Sequence, residues 1–324
     1  MNDPEHDEHD ERGVDEEEEA LTAHPLWVHV ALFFVALGTC WFAGVSFAGG
    51  DPWGAAAWSD AGVQAGAAGY AIGLMAILFA HEMGHYLMGL RHGVSMTRPY
   101  FIPGVPWPGA GVIPFLGTFG AFIKMSIDRV RAQSLLEVGA WGPIAGFVVT
   151  VPVLLAGMWL SEIRPLPEDP GEAIRLGDTL LLLLGEWLFF PDIPEGHDVF
   201  LHPLAMAGWG GCLLTALNLT PIGQLDGGHI AYSVLGERYN TIAWPLWVGL
   251  LGLGLFAFTG WLMLAALLFW MRPTHPDITD GEVVRGSSAW TAWACAVILV
   301  LTFSPNPLVM PTLAEWAWGW LGSS

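Results

Sequence analysis

Long apolar runs separated by short polar stretches set the architecture of this chain before any single motif does. A helix that crosses a bilayer needs about 20 predominantly apolar residues. Trp27 to Phe47, Gly62 to Leu90 and Val138 to Leu160 reach that length, and His202 to Leu219 is a shorter fourth run. Thr241 to Met271 reads as one long tilted helix or as a hairpin broken near Thr259-Gly260, with the hairpin preferred, and Trp290 to Phe303 is a last short span. The pattern predicts an all-α polytopic membrane protein of about six transmembrane helices. Between the second and third runs the period changes. Within Thr118 to Ser126, Phe119, Ala121, Ile123 and Met125 alternate with Gly120, Phe122 and Lys124, the period of an edge strand. A membrane-associated β-type loop is expected there.

Composition agrees: 53% of the 324 residues are hydrophobic and only 13% charged, the profile of a polytopic protein. The net charge of -20 would suggest an acidic soluble surface, but Met1 to His24 alone holds eleven acids against Arg12. Residues 1–24 are therefore expected to form a disordered, solvated tail, with too few apolar groups to offset its ordering entropy. A membrane domain is expected over 25–304, followed by an amphipathic segment, 305–324, whose Trp316, Trp318 and Trp320 suit the lipid interface. No basic patch is present to neutralise phosphates, which argues against nucleic acid as a partner. Cys40, Cys212 and Cys295 lie in apolar stretches without short spacing, so neither a disulfide framework nor a thiolate metal site is indicated. Arg91, Arg98, Lys124, Arg129 and Arg131 cluster between the second and third runs. The positive-inside rule puts that loop, and with it the N-terminus, in the cytoplasm, in what is expected to be a bacterial plasma membrane.

Chemistry enters with His81-Glu82-Met83-Gly84-His85, inside the second run. Two histidines four apart project from one helical face, so both can reach a single Zn²⁺. Glu82 beside them is placed to take a proton from water, as peptide hydrolysis requires. Ionisable residues at membrane depth cost about 2.5–3.5 kcal/mol on insertion scales and mark function. Catalytic zinc sites commonly use three protein ligands, so a third is sought. The best candidate is Asp226, in Asn218-Leu-Thr-Pro-Ile-Gly-Gln-Leu-Asp-Gly-Gly-His229, after an apolar helix that Pro221 and Gly223 interrupt. His92, His229 and His275 are read as hydrogen-bonded interfacial residues, not ligands.

His81-Glu82-x-x-His85 together with Asn218-x-x-Pro221-x-x-x-Leu225-Asp226-Gly227 resembles the site-2 protease family of intramembrane zinc metalloproteases. Pro99-Tyr-Phe-Ile-Pro103, Leu116-Gly-Thr-Phe-Gly-Ala121, Gly142-Pro-Ile-Ala-Gly-Phe147 and His202-Pro-Leu-Ala-x-Ala-Gly-Trp209 resemble its bacterial and plastid branch, which includes the plant ethylene-dependent gravitropism-deficient and yellow-green proteins. The resemblance implies that His81, His85 and Asp226 hold zinc and that Glu82 is the general base. Asn218 would polarise the scissile carbonyl or steady its oxyanion. The implied activity is regulated intramembrane proteolysis of single-span membrane proteins in the bilayer. Two rivals are a silent zinc-binding scaffold or chaperone, which would not need Glu82, and an ion-coupled transporter, which would show paired broken helices. Only one broken segment, Pro221 to Gly228, is evident.

Overall fold

Asp60 opens the helix that carries the metal motif, accepting hydrogen bonds from the Gly62 and Val63 amides at 2.8 and 3.0 Å, a cap of about 1 kcal/mol. In this computed structural model, which describes residues 24–104, 116–125, 130–167, 175–276 and 282–309, the helix runs Ala61–His92 and ends where Gly93 turns left-handed (φ 66°). The proposed tail 1–24 lies outside the described residues apart from His24, and Trp316, Trp318 and Trp320 lie outside them altogether.

The described helices are, in order, α1 (Leu26–Phe47), α2 (Ala55–Ser59), α3 (Ala61–His92), α4 (Ala132–Trp159), α5 (Leu180–Phe189), α6 (Pro203–Leu219), α7 (Asp226–Leu235), α8 (Arg238–Phe256), α9 (Gly260–Met271) and α10 (Trp290–Thr302). Among the described residues four, α1, α3, α4 and α8, are long and apolar enough to cross a membrane. Helices α5, α6, α9 and α10 are apolar but shorter. The stretch from Thr241 to Met271 is broken, and α8 and α9 fold back on each other, with the Trp247 indole N–H donating to the Ala265 carbonyl at 2.8 Å.

Helix α6 sits at the centre, buried on nearly every face. Lipid tails are as apolar as leucine, so helices in a bilayer associate by close packing more than by hydrophobic expulsion. Small residues provide it here. A Cβ on Gly157 of α4 would overlap the Ala205 backbone of α6, one on Gly208 of α6 would stand 2.6 Å from the Leu154 Cα, and one on Gly84 of α3 would overlap the Trp141 carbonyl of α4.

Two antiparallel hairpins complete the architecture. Strands β1 (Tyr100–Pro103) and β2 (Thr118–Phe122) pair between α3 and α4, and β3 (Glu162–Pro165) pairs with β4 (His197–Phe200). The alternation expected over Thr118 to Ser126 is interrupted within the described part of that stretch, Thr118 to Met125. Register shifts at Ile102/Pro103, leaving Phe119 without a partner beside Gly120 at φ 95°. A bulge of this kind breaks the period-two facing, and Phe119 and Phe122 are both exposed. Beyond Phe122, among the described residues, an isolated bridge, Met96 to Met125, continues the pairing. The His29 ring of α1 packs on Tyr100 at 4.3 Å, and its Nδ1 lies 3.0 Å from the Pro99 carbonyl, which ties the hairpin to α1.

Candidate metal centre

Three side chains from two distant stretches meet between α3, α4 and α7. The Nε2 atoms of His81 and His85 lie 3.1 Å apart, and Asp226 Oδ2 is 3.2 Å from the first and 3.3 Å from the second. Helix α3 supplies the imidazoles one turn apart on a buried face. Asp226 is the first residue of α7, where the helix dipole favours a negative charge. It arrives there because the chain breaks between α6 and α7. Thr220 and Pro221 leave the helix, and Gly223 turns at φ 66°. Gly227 then passes so close that a Cβ would overlap the Leu219 carbonyl.

The second nitrogen of one imidazole is accounted for. His85 Nδ1 lies 2.7 Å from the Val138 carbonyl, and since a carbonyl only accepts, Nδ1 is the donor and a neutral His85 turns its Nε2 lone pair inward. Pro143 belongs to the adjoining turn of α4, where it withholds the amide that the Gly139 carbonyl would otherwise accept.

This arrangement fits a zinc ion. Donor atoms at about 2.0–2.1 Å from a tetrahedral metal stand about 3.3 Å from one another, close to the three separations here. Two imidazole nitrogens and a carboxylate oxygen are also a donor set that zinc accepts. Among the described residues this is the one cluster of three or more such groups. Asn218, at the end of α6, brings Nδ2 to 3.2 Å from His81 Nε2. Glu82 is buried, 3% exposed, within electrostatic reach of both histidines and Asp226.

Helix α4 lines the centre with glycines. A Cβ on Gly142 would overlap the His85 imidazole, and one on Gly146 would stand 3.1 Å from His81 Cβ. One on Gly139 would meet His229 Cβ at 3.3 Å and the Asp226 carbonyl at 3.5 Å. These three positions share one helical face. Gly142→Ala is therefore expected to push His85 off the Val138 carbonyl and lower zinc affinity at least about 10-fold, with about 1–3 kcal/mol of overpacking. Metal titration and thermal melting check this, and wild-type affinity in the variant would contradict it.

His92, His229 and His275 sit outside the cluster. His92 Nε2 is 2.9 Å from Glu137 Oε2, tying the end of α3 to α4. His229 and His275 contact each other at 2.8 Å, and both are buried, hydrogen-bonded outside the ligand set as expected. Sequence reasoning passed over Gly139, although its spacing of three and seven from Gly142 and Gly146 was the available signal. Nothing in the sequence marked the Val138 carbonyl. All three cysteines are free and buried.

The profile of peptidase family M50 matches residues 69–245, which contains all five residues singled out above. The chain is 34% identical over 218 residues to "Probable zinc metalloprotease EGY2, chloroplastic" of Oryza sativa subsp. indica, covering 64% of this chain and 37% of that protein. It is 31% identical over 213 residues to the Arabidopsis thaliana protein of the same name, covering 63% and 36%. To "Probable zinc metalloprotease EGY1, chloroplastic" of Arabidopsis thaliana it is 30% identical over 171 residues, covering 52% and 30%. The chain thus spans well under half the length of these relatives. No solved structure matches it.

Proposed function

The chain belongs to peptidase family M50, and from that premise we propose that it is a zinc metalloendopeptidase that hydrolyses peptide bonds within transmembrane segments of single-span membrane proteins. His81, His85 and Asp226 hold the metal. The observation that carries this reading is the convergence of two Nε2 atoms and one Oδ2 at 3.1–3.3 Å inside an apolar bundle. Zinc, when bound, supplies the Lewis acidity that makes hydrolysis feasible near neutral pH. Glu82 accepts a proton from the attacking water and returns it to the leaving amine. Asn218 donates an amide N–H toward the carbonyl oxygen as charge develops there.

A substrate helix shields its own backbone, so it must unwind before a carbonyl is reachable, and the exposed amides then need partners. Among the described residues β1 and β2 form a two-stranded sheet, so each keeps one free edge. Strand addition at that edge would satisfy the unwound backbone. The catalytic unit is the membrane domain 25–304, preceded by the acidic tail 1–24 and followed by the interfacial segment 305–324. About six spans result if α6 and α10 traverse the bilayer alongside α1, α3, α4 and α8, with α9 folded back on α8. We place the Arg91 to Arg131 loop and the N-terminus at the cytoplasmic face of a bacterial plasma membrane, an orientation favoured by that loop's basic residues.

Reconstitution with a panel of single-span membrane proteins tests this directly. A strong zinc chelator should abolish cleavage, and added Zn²⁺ should restore it. Cleavage that persists in the metal-free protein, or a zinc-loaded protein that cuts no member of the panel, would count against the assignment and favour the silent scaffold.

A further inference from the structure

The loop that interrupts the α6–α7 pair is gripped from outside by the segment after α9. That segment begins at Arg272, which has φ 72° and ψ 125°. Among the described residues it is the one non-glycine with positive φ. Such strain persists only where surrounding contacts over-determine the backbone. The turn carries the Pro273 carbonyl to 2.8 Å from the Gly223 N–H, inside the break.

Two residues later His275 is almost wholly buried, at 3% exposure. Its amide N–H donates to Asn240 Oδ1 at 2.9 Å, and its carbonyl accepts from Asn240 Nδ2 at 3.2 Å. The ring stacks on Tyr232 at 4.3 Å with planes 19° apart. His275 Nδ1 lies 2.6 Å from the Pro276 carbonyl, which can only accept. A neutral His275 therefore offers Nε2 as an acceptor, and the His229 Nδ1–H donates to it at 2.8 Å.

His229 follows Asp226 by three residues, on the same face of α7. Contact with Gly139 of α4 sets how far α7 stands from its neighbour. It does not set rotation about the axis of α7, and rotation is what swings a first-turn carboxylate toward or away from two fixed imidazoles. The bond from His229 to His275 acts on that rotation. Metal ligands must be held to within about 0.5 Å for a productive site.

We propose that His275, itself held by Asn240, is a positioning residue for Asp226, and that the segment from Arg272 to His275 is a clasp that fixes the rotation of α7 and the path of the preceding break. The inference rests on the reading of His81, His85 and Asp226 as the ligand set. The clasp touches no substrate and no metal. It acts through α7.

The test uses the purified chain stripped of metal and titrated with Co²⁺, in wild type, His275→Ala, Asn240→Ala, Asn240→Asp and His81→Ala. Three quantities are read: the Kd, the intensity of the visible d–d bands, and the melting temperature of the metal-free protein. Wild type should bind one Co²⁺, and His81→Ala should lose it. His275→Ala and Asn240→Ala should bind about 10- to 100-fold more weakly, with altered d–d intensity. Asn240→Asp keeps the acceptor for the His275 amide and should shift both quantities the same way by less, which decides the matter if the alanine variants fail to fold. Wild-type Kd and spectrum in the folded variants, whatever their melting temperatures, would reduce the clasp to general stability and overturn the proposal alone. Absence of Co²⁺ binding in wild type, or its retention in His81→Ala, would overturn the ligand assignment and the clasp with it.

Discussion

Glu82→Gln should lower turnover of a membrane substrate about 10²- to 10⁴-fold, the range typical of a lost general base, while zinc content and melting temperature stay at their wild-type values. Glutamine keeps the shape of the side chain and removes its capacity to accept a proton. The metal should remain because the cluster comprises His81, His85 and Asp226 without Glu82. Stability should hold because a buried neutral amide is easier to keep out of water than a carboxylate. Single-turnover cleavage, metal analysis and thermal melting on the same preparation separate these outcomes. Full activity would remove Glu82 from the mechanism, and loss of zinc would recast it as a ligand.

What the sequence made legible divides along physical lines. His81 and His85 were readable because a helix places residues four apart on one face, whatever packs around it. Asp226 was readable because Pro221 and Gly223 announce a break, and a carboxylate after a broken apolar helix has few inexpensive explanations. The clasp was not readable. His275 and Asn240 are 35 residues apart, and their meeting depends on how α8 and α9 fold back, which hydropathy does not encode. Span length is a weaker guide for a related reason. Helix α6 has only 17 residues, and its burial comes from helices packed around it, so its length says little about bilayer thickness. The bulge at Phe119 escaped the period-two reading because Gly120 looked like one more small residue in the alternation, whereas its positive φ resets the register.

Asp226→Ala should produce the largest loss of metal. Structural zinc binds with roughly 10–16 kcal/mol, so one ligand in four accounts for about 3 kcal/mol, or at least about 100-fold in Kd. The true loss should exceed that share, because Asp226 is the anion of the set. Without it, two neutral imidazoles face a divalent cation in an apolar bundle, and the charge has less to offset it. The fold should survive, since α7 stays packed on α4 through Gly139 and Ile230 and the removed group is itself costly to bury.

Zinc content of wild type and Asp226→Ala, measured after equilibrium dialysis against the same buffered free zinc, is the most direct measurement of whether these side chains share one ion. One zinc per wild-type chain and far less than one in the variant is the predicted result. Equal occupancy in the two proteins, or none in wild type, would contradict it.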